Sequence, residues 1–398
     1  MRILIVTPSS KLNGTAKTFL TWIKSLYEQG HKIILYTNKG NLATWTKNLC
    51  ERQYYFELAR FEPSFFRIVE IIKIVRKERI DNIWGVGTTS SLLGSLVGII
   101  CKKNYLNILN VSPREHVWPV NPNWRYPSVG HIVTVSEHYR ELLINESKMP
   151  REYCHFVPAQ FDLDELKPAF DKIPKTINKK IIVSLFRRFD KQKTLGVEVF
   201  LKFVEEYRNS LTHCKFNLYG GGDSEMQVNE FVKTLNELGV DITNHGFIKE
   251  VQNEMVNSDI VVGSERVAIE SLLCGRPVCI IGDNGIVDFV TEENLEAFMS
   301  DNFSGLGISN RYSITPEEAL DLFSDYKKLL SKSNPQYCYG ELVKKYDARI
   351  GVQELICLSE IANSTDERGR KFLRVLRAII SMYSTKIRIA LANRLDTL

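Results

Sequence analysis

The sequence lacks cysteine pairs at the spacing of a metal site. Its eight cysteines are scattered along 398 residues, with no CxxC pair and no histidine at zinc-ligand distance. Several lie inside apolar runs, as Cys101 does in GSLVGIIC. This usage does not indicate a zinc site. It predicts small buried thiols in a reducing compartment, and therefore a cytoplasmic protein.

The sequence also lacks a segment suited to a signal peptide or a membrane span. The opening run MRILIVT is followed at once by polar residues and is too short for the hydrophobic region of a signal peptide. The stretch 82–101 is uncharged and long enough to span a bilayer, but Gly-Val-Gly-Thr-Thr-Ser-Ser interrupts it. We interpret it as a buried strand, a turn and a short core helix.

An excess of one charge is found only near the end of the chain. The net charge is +5, and residues 366–398 contain eight Lys/Arg against three Asp/Glu, an excess of five that accounts for the whole imbalance. The rest of the chain is neutral, which argues against a nucleic-acid partner. Residues 370–391 fit a basic amphipathic helix. Such a helix could make a peripheral contact with the inner face of the membrane, pack back on the protein or form a dimer.

Short apolar runs alternate with amphipathic segments through most of the chain. Strands are predicted at 2–7, 32–36, 80–85, 105–111, 131–135, 181–185, 216–219, 242–245, 260–262 and 278–281. Helices are predicted at 15–29, 64–78, 195–207, 224–238 and 267–274. Strands that alternate with helices form right-handed βαβ crossovers, so the pattern predicts an α/β protein with parallel, doubly wound sheets.

The alternation breaks once, and this break predicts the domain organisation. Residues 157–180 hold three prolines and much charge, as a linker does. The prediction is an N-terminal domain at 1–160, a linker at 161–179, a second domain at 180–362 and the basic tail at 363–398. Two Rossmann-like halves joined in this way would face a central cleft, the usual place for a ligand.

Two cations follow the first strand of the second half. Arg188 and Lys193 come after the strand at 181–185 and before a helix, in the segment RRFDKQK. Arginine offers a planar fork and lysine a point charge, so the two could clamp a diphosphate. A solvated charged loop is the alternative.

Two further segments strengthen the interpretation as a nucleotide site. The next strand ends in Gly220-Gly221-Gly222, where backbone N–H groups could approach a phosphate, although a plain turn is equally compatible. After the strand at 260–262, a helix begins near Arg266 and carries Glu270 one turn in. That carboxylate could accept both ribose hydroxyls, or it could simply favour the helix N-terminus.

Taken in order, these segments resemble the retaining GT-B glycosyltransferases of family-4 type (glycosyl transferases group 1). That family has a strand followed by Gly-Arg-Leu-x-x-x-Lys-Gly, and residues 187–194 match its Arg and Lys at the proper separation. The family's Glu-Ala-x-x-x-Gly-x-Pro-Val element matches residues 270–278. The resemblance implies that Arg188 and Lys193 hold the donor diphosphate and stabilise the leaving group, and that Glu270 binds the ribose. It covers about residues 1–362.

The sequence departs from the family at one donor loop. The family carries a second Glu eight positions before its ribose Glu, where this chain has Val262, and the loop is shortened to residues 263–266. Ser264, Glu265, Arg266 and the nearby amides are candidates to replace it, and the configuration of the product stays open.

The resemblance also assigns two sites in the first half. Gly14 fills the position where the family's backbone approaches the donor phosphate or the acceptor, and His116 falls near the reacting sugar. A structural loop histidine is the alternative for His116.

The sequence predicts transfer of a hexosyl unit from a UDP- or GDP-linked sugar to a glycan or lipid-linked acceptor, as in polysaccharide biosynthesis. No cofactor and no metal are implied, because Asp162-Leu163-Asp164 fits the cap of a short linker helix better than a DxD metal site. A non-catalytic GT-B subunit that binds a glycan or a partner is the alternative. A sugar-nucleotide epimerase is less favoured, because the diphosphate clamp follows the transferase pattern.

Overall fold

The computed structural model describes residues 1–8, 14–56, 65–109, 131–146, 149–166, 168, 170, 180–190, 193–282, 285–305 and 314–361. These residues form two compact units. The first contains the described residues of Met1–Gln160 and of Ala348–Ile361, and the second contains those of Phe161–Asp347.

The first unit is built on a parallel sheet of seven strands. Its strands are β1 Arg2–Val6, β2 Lys32–Asn38, β3 Arg52–Phe56, β4 Asn82–Val86, β5 Asn104–Leu109, β6 Ile132–Thr134 and β7 Cys154–Phe156. The helices between them are α1 Gly14–Glu28, α2 Asn41–Trp45, α3 Phe65–Lys77, α4 Thr88–Cys101 and α5 Glu137–Asn145, and a 3₁₀ turn covers Arg151–Tyr153. The strand order is β3-β2-β1-β4-β5-β6-β7, and each neighbouring pair is parallel.

Alternate side chains of the central strands explain why these runs are apolar throughout. On β1, Ile3 and Ile5 pack on one face against Trp22 of α1. Leu4 and Val6 pack on the opposite face, where α3 lies. The central strands of a parallel sheet are covered by helices on both faces, so their side chains are buried and mostly apolar on both faces.

The second unit contains a six-stranded sheet. Its strands are β8 Ile181–Phe186, β9 Cys214–Tyr219, β10 Ile242–Asn244, β11 Ile260–Gly263, β12 Val278–Ile281 and β13 Ile286–Phe289. Its helices are α6 Thr194–Glu206, α7 Glu225–Glu237, α8 Val251–Val256, α9 Arg266–Leu273, α10 Leu295–Ser300, α11 Pro316–Ser324, α12 Tyr326–Ser333 and α13 Pro335–Tyr346. The order is β10-β9-β8-β11-β12-β13, and among the strands that the structure describes only the last pair, β12 with β13, is antiparallel.

Each sheet has one place where the direction of winding reverses. In the first sheet the reversal lies between β1 and β4, and in the second it lies between β8 and β11. The loops that leave the carboxyl ends of two such strands diverge, and the crevice between them is where open α/β sheets bind ligands. The described structure therefore confirms the predicted doubly wound α/β architecture.

The last described helix belongs to the first unit. Helix α14 covers Ala348–Ile361, and its apolar side chains join the core that contains Trp22. Gly351 lies so close to Gln160 that an added Cβ would be 2.0 Å from its side-chain carbon. The sequence placed the second domain at 180–362, whereas the chain returns to the first unit at Ala348. An amphipathic helix is compatible with either core, so its pattern alone does not assign it.

In its described residues, the predicted linker forms a turn where a short helix was expected, whereas the apolar stretch 82–101 has the predicted structure. Phe161 is fully buried in the second unit and donates its N–H to the carbonyl oxygen of Tyr346 at 2.8 Å. Asp162 Oδ1 accepts from the N–H of Asp164 at 3.0 Å, which closes a turn where the sequence predicted a short helix. The stretch 82–101 forms β4 and α4, as predicted. Among the described residues, no helix is both long and apolar enough to cross a membrane.

Two histidines form an uncommon pair at the edge of the first sheet. His131 Nδ1 lies 2.7 Å from His155 Nε2, and the rings are parallel with centroids 5.0 Å apart. Burial lowers the pKa of His155, and the charge of nearby Arg140 lowers it further. Arg140 also donates from Nε to the carbonyl oxygen of Cys154 at 2.8 Å, so its charge is held beside β7.

The pKa of His155 predicts how stability depends on pH. The unfolded chain binds more protons at this position than the folded chain, so the free energy of unfolding should fall as pH decreases through the unperturbed value of 6.5. We expect His155→Gln to reduce this acid destabilisation in urea unfolding between pH 7.5 and 5. His138→Gln is the control, since it removes a histidine of α5 outside the pair. An equal pH dependence in both variants would contradict the prediction.

Candidate active site

The loops at the carboxyl ends of β8 and β11 carry predicted donor residues from two distant parts of the sequence. Both loops leave the second sheet at its winding reversal, where diverging loops open a crevice. The loop after β8 contains Arg188 and leads through Lys193 into α6. The loop after β11 contains Ser264 and Glu265 and leads into α9.

The side chain of Lys193 reaches across the winding reversal. Its ammonium Nζ lies 3.4 Å from Glu265 Oε1, which joins the β8 loop to the β11 loop. The lysine side chain is 24% exposed, so its charge is only partly screened by water. Asp190 fixes the start of α6, because its Oδ1 accepts from the N–H of Lys193 at 3.1 Å.

Arg188 has a more open environment. Its guanidinium Nη1 lies 3.1 Å from Asp190 Oδ2, and its side chain is 60% exposed. An exposed pair of this kind contributes little to stability. Arg188 and Lys193 therefore share Asp190 as a partner, the first through its guanidinium and the second through its backbone N–H, while most of the Arg188 side chain remains accessible.

The glycine triplet allows two loops to approach each other through their backbones. The N–H of Phe189 donates to the carbonyl oxygen of Gly221 at 3.1 Å, and the N–H of Ser224 donates to that of Phe189 at 2.8 Å. An added Cβ on Gly220 would lie 1.9 Å from the carbonyl oxygen of Arg187. On Gly222, where φ is +153°, it would lie 2.7 Å from the carbonyl carbon of Phe189. The close approach of the β8 loop therefore explains by itself why positions 220 and 222 are glycine.

The N-terminus of α9 presents backbone donors at the same edge. Glu265 occupies the N-cap position with φ +55° and ψ −125°, and no side chain caps this helix. Its own N–H donates to the carbonyl oxygen of Phe303 at 2.7 Å. The N–H groups of residues 266–268 open the helix, and a helix N-terminus attracts anions. A positive φ at a non-glycine residue is strained and often marks a functional site.

Glu270 is almost fully buried and pairs with Arg266 on the same helix. Its side chain is 6% exposed, and Oε1 accepts from Nε of Arg266 at 2.8 Å, one helical turn away. The Arg266 guanidinium also stacks on the ring of Phe161, 4.4 Å from the ring centre. Burial, and then the charge of Glu270, raise the pKa of the Cys274 thiol to about 12.

Three aromatic rings stack at the carboxyl ends of β8, β9 and β10. Tyr219, the last residue of β9, stacks between Phe186 and His245, with centroids 4.7 Å apart in both pairs. Its hydroxyl donates to Glu254 Oε2 at 2.8 Å. Burial and this hydrogen bond raise the pKa of the Tyr219 phenol above its ordinary value. The stacked rings directly precede the glycine triplet, since Tyr219 is followed by Gly220.

The structure brings some predicted site residues together and separates others. Lys193 and Glu265 are in direct contact, Arg266 pairs with Glu270, and the glycine triplet packs on the loop of Arg188. Gly14 is the first residue of α1, in the first unit. His116 and the tail at 370–391 lie outside the described residues.

Sequence reasoning did not single out Arg187. It is 8% exposed and donates from Nη1 to the carbonyl oxygen of Ile281 at 2.7 Å and to Ser264 Oγ at 3.2 Å. The signal was present, since Arg187 stands where the resembled family has glycine. Within the part of the chain that the structure describes, no cluster of three or more His, Cys, Asp or Glu side chains is arranged to hold a metal ion.

The fold matches solved glycosyltransferase structures at low sequence identity. HepE from Anabaena, crystallised with UDP, superposes with a TM-score of 0.66 at 16% identity, over 90% of this chain and 100% of that one. A glycosyltransferase from Rickettsia africae gives 0.66 at 16% identity, over 92% and 99%. The lipopolysaccharide outer core galactosyltransferase WaaB gives 0.62 at 11%, over 90% and 99%. No protein-family model and no curated protein matches the sequence. The chain has the two-domain GT-B fold.

The backbone approach at Gly220 predicts a large cost for adding one methyl group. We expect Gly220→Ala to lower the free energy of unfolding by about 2 kcal/mol or more, since a Cβ would overlap the Arg187 carbonyl oxygen. Urea unfolding measures this change. Gly340→Ala is the matched control, because a Cβ there meets nothing within 4 Å inside α13. It should raise stability by about 0.5 to 1 kcal/mol. Equal effects of the two variants would contradict this account.

Proposed function

We propose that the protein is a retaining, metal-independent glycosyltransferase that moves a hexosyl unit from a UDP- or GDP-sugar to a glycan or lipid-linked acceptor. The observation that carries the proposal is the convergence of Lys193, Glu265 and the uncapped N-terminus of α9 at the winding reversal of the second sheet. The likeness to HepE, which was crystallised with UDP, supports a nucleoside diphosphate as the ligand. Retention is included because the motifs follow the order of a retaining family.

Charge stabilisation is the contribution that these residues can make to the reaction. When the bond between the sugar C1 and the donor phosphate oxygen breaks, negative charge grows on the leaving diphosphate. In this proposal, Lys193, Arg188 and the N–H groups at the start of α9 stabilise that charge without a metal. The acceptor hydroxyl forms the new bond to C1 and releases its proton to the departing phosphate oxygen. We assign ribose binding to Glu270, with Arg266 orienting its carboxylate.

Lys193 provides the first test of this assignment. Lys193→Ala should weaken UDP or GDP binding by about 10- to 100-fold, because a charge-assisted hydrogen bond contributes about 1.5 to 3 kcal/mol. Titration calorimetry with EDTA present measures the affinity and tests metal independence together. Lys233→Ala removes the same charge from α7, where the side chain is 78% exposed, and should leave the affinity unchanged. Equal affinities for all three proteins would refute the role of Lys193.

Glu265 provides a test with the opposite sign. Its carboxylate now pairs with Lys193, so a bound diphosphate has to replace it. We expect Glu265→Gln to tighten UDP binding by about 2- to 5-fold, the range of a partly exposed ion pair. Glu237→Gln, an exposed acid of α7, is the control. A loss of affinity for the UDP-sugar but not for UDP would instead identify Glu265 as a contact of the sugar.

Turnover separates the transferase from the alternatives. Incubation with UDP- and GDP-hexoses and analysis of the anomeric product by NMR should show transfer, or slow hydrolysis in the absence of acceptor, with retained configuration. Nucleotide binding without any turnover would favour a non-catalytic GT-B subunit. An epimerised sugar nucleotide would identify an epimerase, and inverted product would remove retention from the proposal.

A further inference from the structure

Arg187 is buried and hydrogen-bonded at the carboxyl edge of the second sheet. The residue follows β8 directly and is 8% exposed, in contrast to Arg188, whose side chain is 60% exposed. A buried guanidinium is unfavourable unless hydrogen-bond acceptors surround it. Arg187 Nε donates to the carbonyl oxygen of Lys193 at 3.0 Å, and Nη1 donates to Ser264 Oγ and to the carbonyl oxygen of Ile281 at 3.2 and 2.7 Å.

These three acceptors belong to three different segments. Lys193 precedes α6, Ser264 lies in the loop between β11 and α9, and Ile281 ends β12. One planar side chain therefore joins the β8, β11 and β12 ends across the winding reversal. A guanidinium can do this because its N–H donors point in fixed, divergent directions, whereas an ammonium is a point charge on a flexible stem.

The neighbouring helix leaves room for this guanidinium. Gly196 lies in the first turn of α6, where an added Cβ would be 2.9 Å from Nη2 of Arg187 and 2.5 Å from the carbonyl oxygen of Gly282. Glycine weakens a helix relative to alanine, so its presence there needs a reason. The close approach of the Arg187 side chain and of the Gly282 backbone supplies that reason.

The contacts of Arg187 are also contacts of the candidate donor site. Holding the Lys193 carbonyl fixes the residue whose ammonium lies 3.4 Å from Glu265, at the N-cap of α9. Holding Ser264 fixes the residue immediately before that N-cap. Arg187 thus contacts both segments that carry the groups assigned to the diphosphate, the backbone of Lys193 and the residue before the N-cap of α9.

We infer that Arg187 is a positioning residue for nucleotide binding, which acts through Lys193 and Ser264 rather than by touching the ligand. This inference rests on the proposed function, because it names a role within the same site. The resembled family has glycine at this position, so the role is particular to a chain that carries Arg187.

A double-mutant cycle tests the inference. The affinity for UDP and GDP is measured by calorimetry for the unaltered protein, Arg187→Met, Lys193→Ala and the double variant. We expect Arg187→Met to weaken binding at least tenfold in the unaltered background and only about two- to fourfold when Lys193 is already alanine, because the part of its effect that passes through the lysine ammonium is then absent and only the part through Ser264 remains. A tenfold loss in both backgrounds, or no loss in either, would overturn the inference.

Two further variants keep the test decisive. Arg187→Lys retains the charge but not the three-way contact, so it should still lose about fivefold or more; full affinity in this variant would show that charge alone matters and overturn the inference. It also serves if Arg187→Met does not fold, which circular dichroism will reveal. Arg208→Met is the control: it removes an arginine whose Nη1 bonds the carbonyl oxygen of Glu205 at 2.9 Å, and affinity should stay within twofold. A larger loss of affinity in Arg208→Met would show that general destabilisation explains the effect, and it would overturn the inference.

The outcomes also separate this inference from the proposed function. If the unaltered protein binds neither UDP nor GDP, the proposed function fails and the inference fails with it. If the unaltered protein binds and the Arg187 variants bind equally well, only the inference fails.

Discussion

The candidate site depends on how closely the backbones of two neighbouring loops approach each other. The loops that follow β8 and β9 are joined by backbone hydrogen bonds between residues 187–189 and 219–224, and this approach is possible only because Gly220 and Gly222 have no side chains. The β8 loop continues into Asp190, whose Oδ1 accepts from the N–H of Lys193 at 3.1 Å, so the joined loops lead directly into a contact that holds the backbone of that lysine. A cation on an already ordered backbone loses less conformational entropy when it binds a ligand.

The same constraint changes the meaning of the glycine triplet. In the sequence, three glycines after a strand indicate either a phosphate loop or a turn. The structure adds a third explanation for Gly220 and Gly222, because the backbone of residues 187–189 occupies the space that a Cβ at either position would need. A glycine can thus be required by packing within a site without touching the ligand. The backbone of Arg187 takes part in the same contact, because its N–H donates to the carbonyl oxygen of Tyr219 at 3.1 Å and its carbonyl oxygen lies against Gly220.

The sequence predicted the central strands well because they are buried on both faces and therefore appear as continuous apolar runs. It did not predict β3, β7 or β13, which lie at sheet edges and are short, polar or antiparallel. The chain positions of the site residues were predictable, since parallel strands bring their carboxyl ends to one edge. Their partners were not predictable: the contact of Lys193 with Glu265 spans 72 residues, and no local pattern encodes it. The fold can match other GT-B structures at low sequence identity for a related reason. Apolar periodicity is enough to preserve a fold, whereas a site depends on particular pairs of residues.

The return of α14 to the first unit has a consequence for the order in which the units fold. The second unit is one continuous stretch, Phe161–Asp347, and every strand of its sheet is available once residue 289 has been made. The first unit is complete only when Ala348–Ile361 adds Val352, Leu355 and Ile356 to the core around Trp22. During synthesis from the N-terminus, the half that is translated first must therefore hold an open apolar groove until the ribosome has passed the whole of the other half. A nascent chain stalled before residue 348 would expose that groove to chaperones.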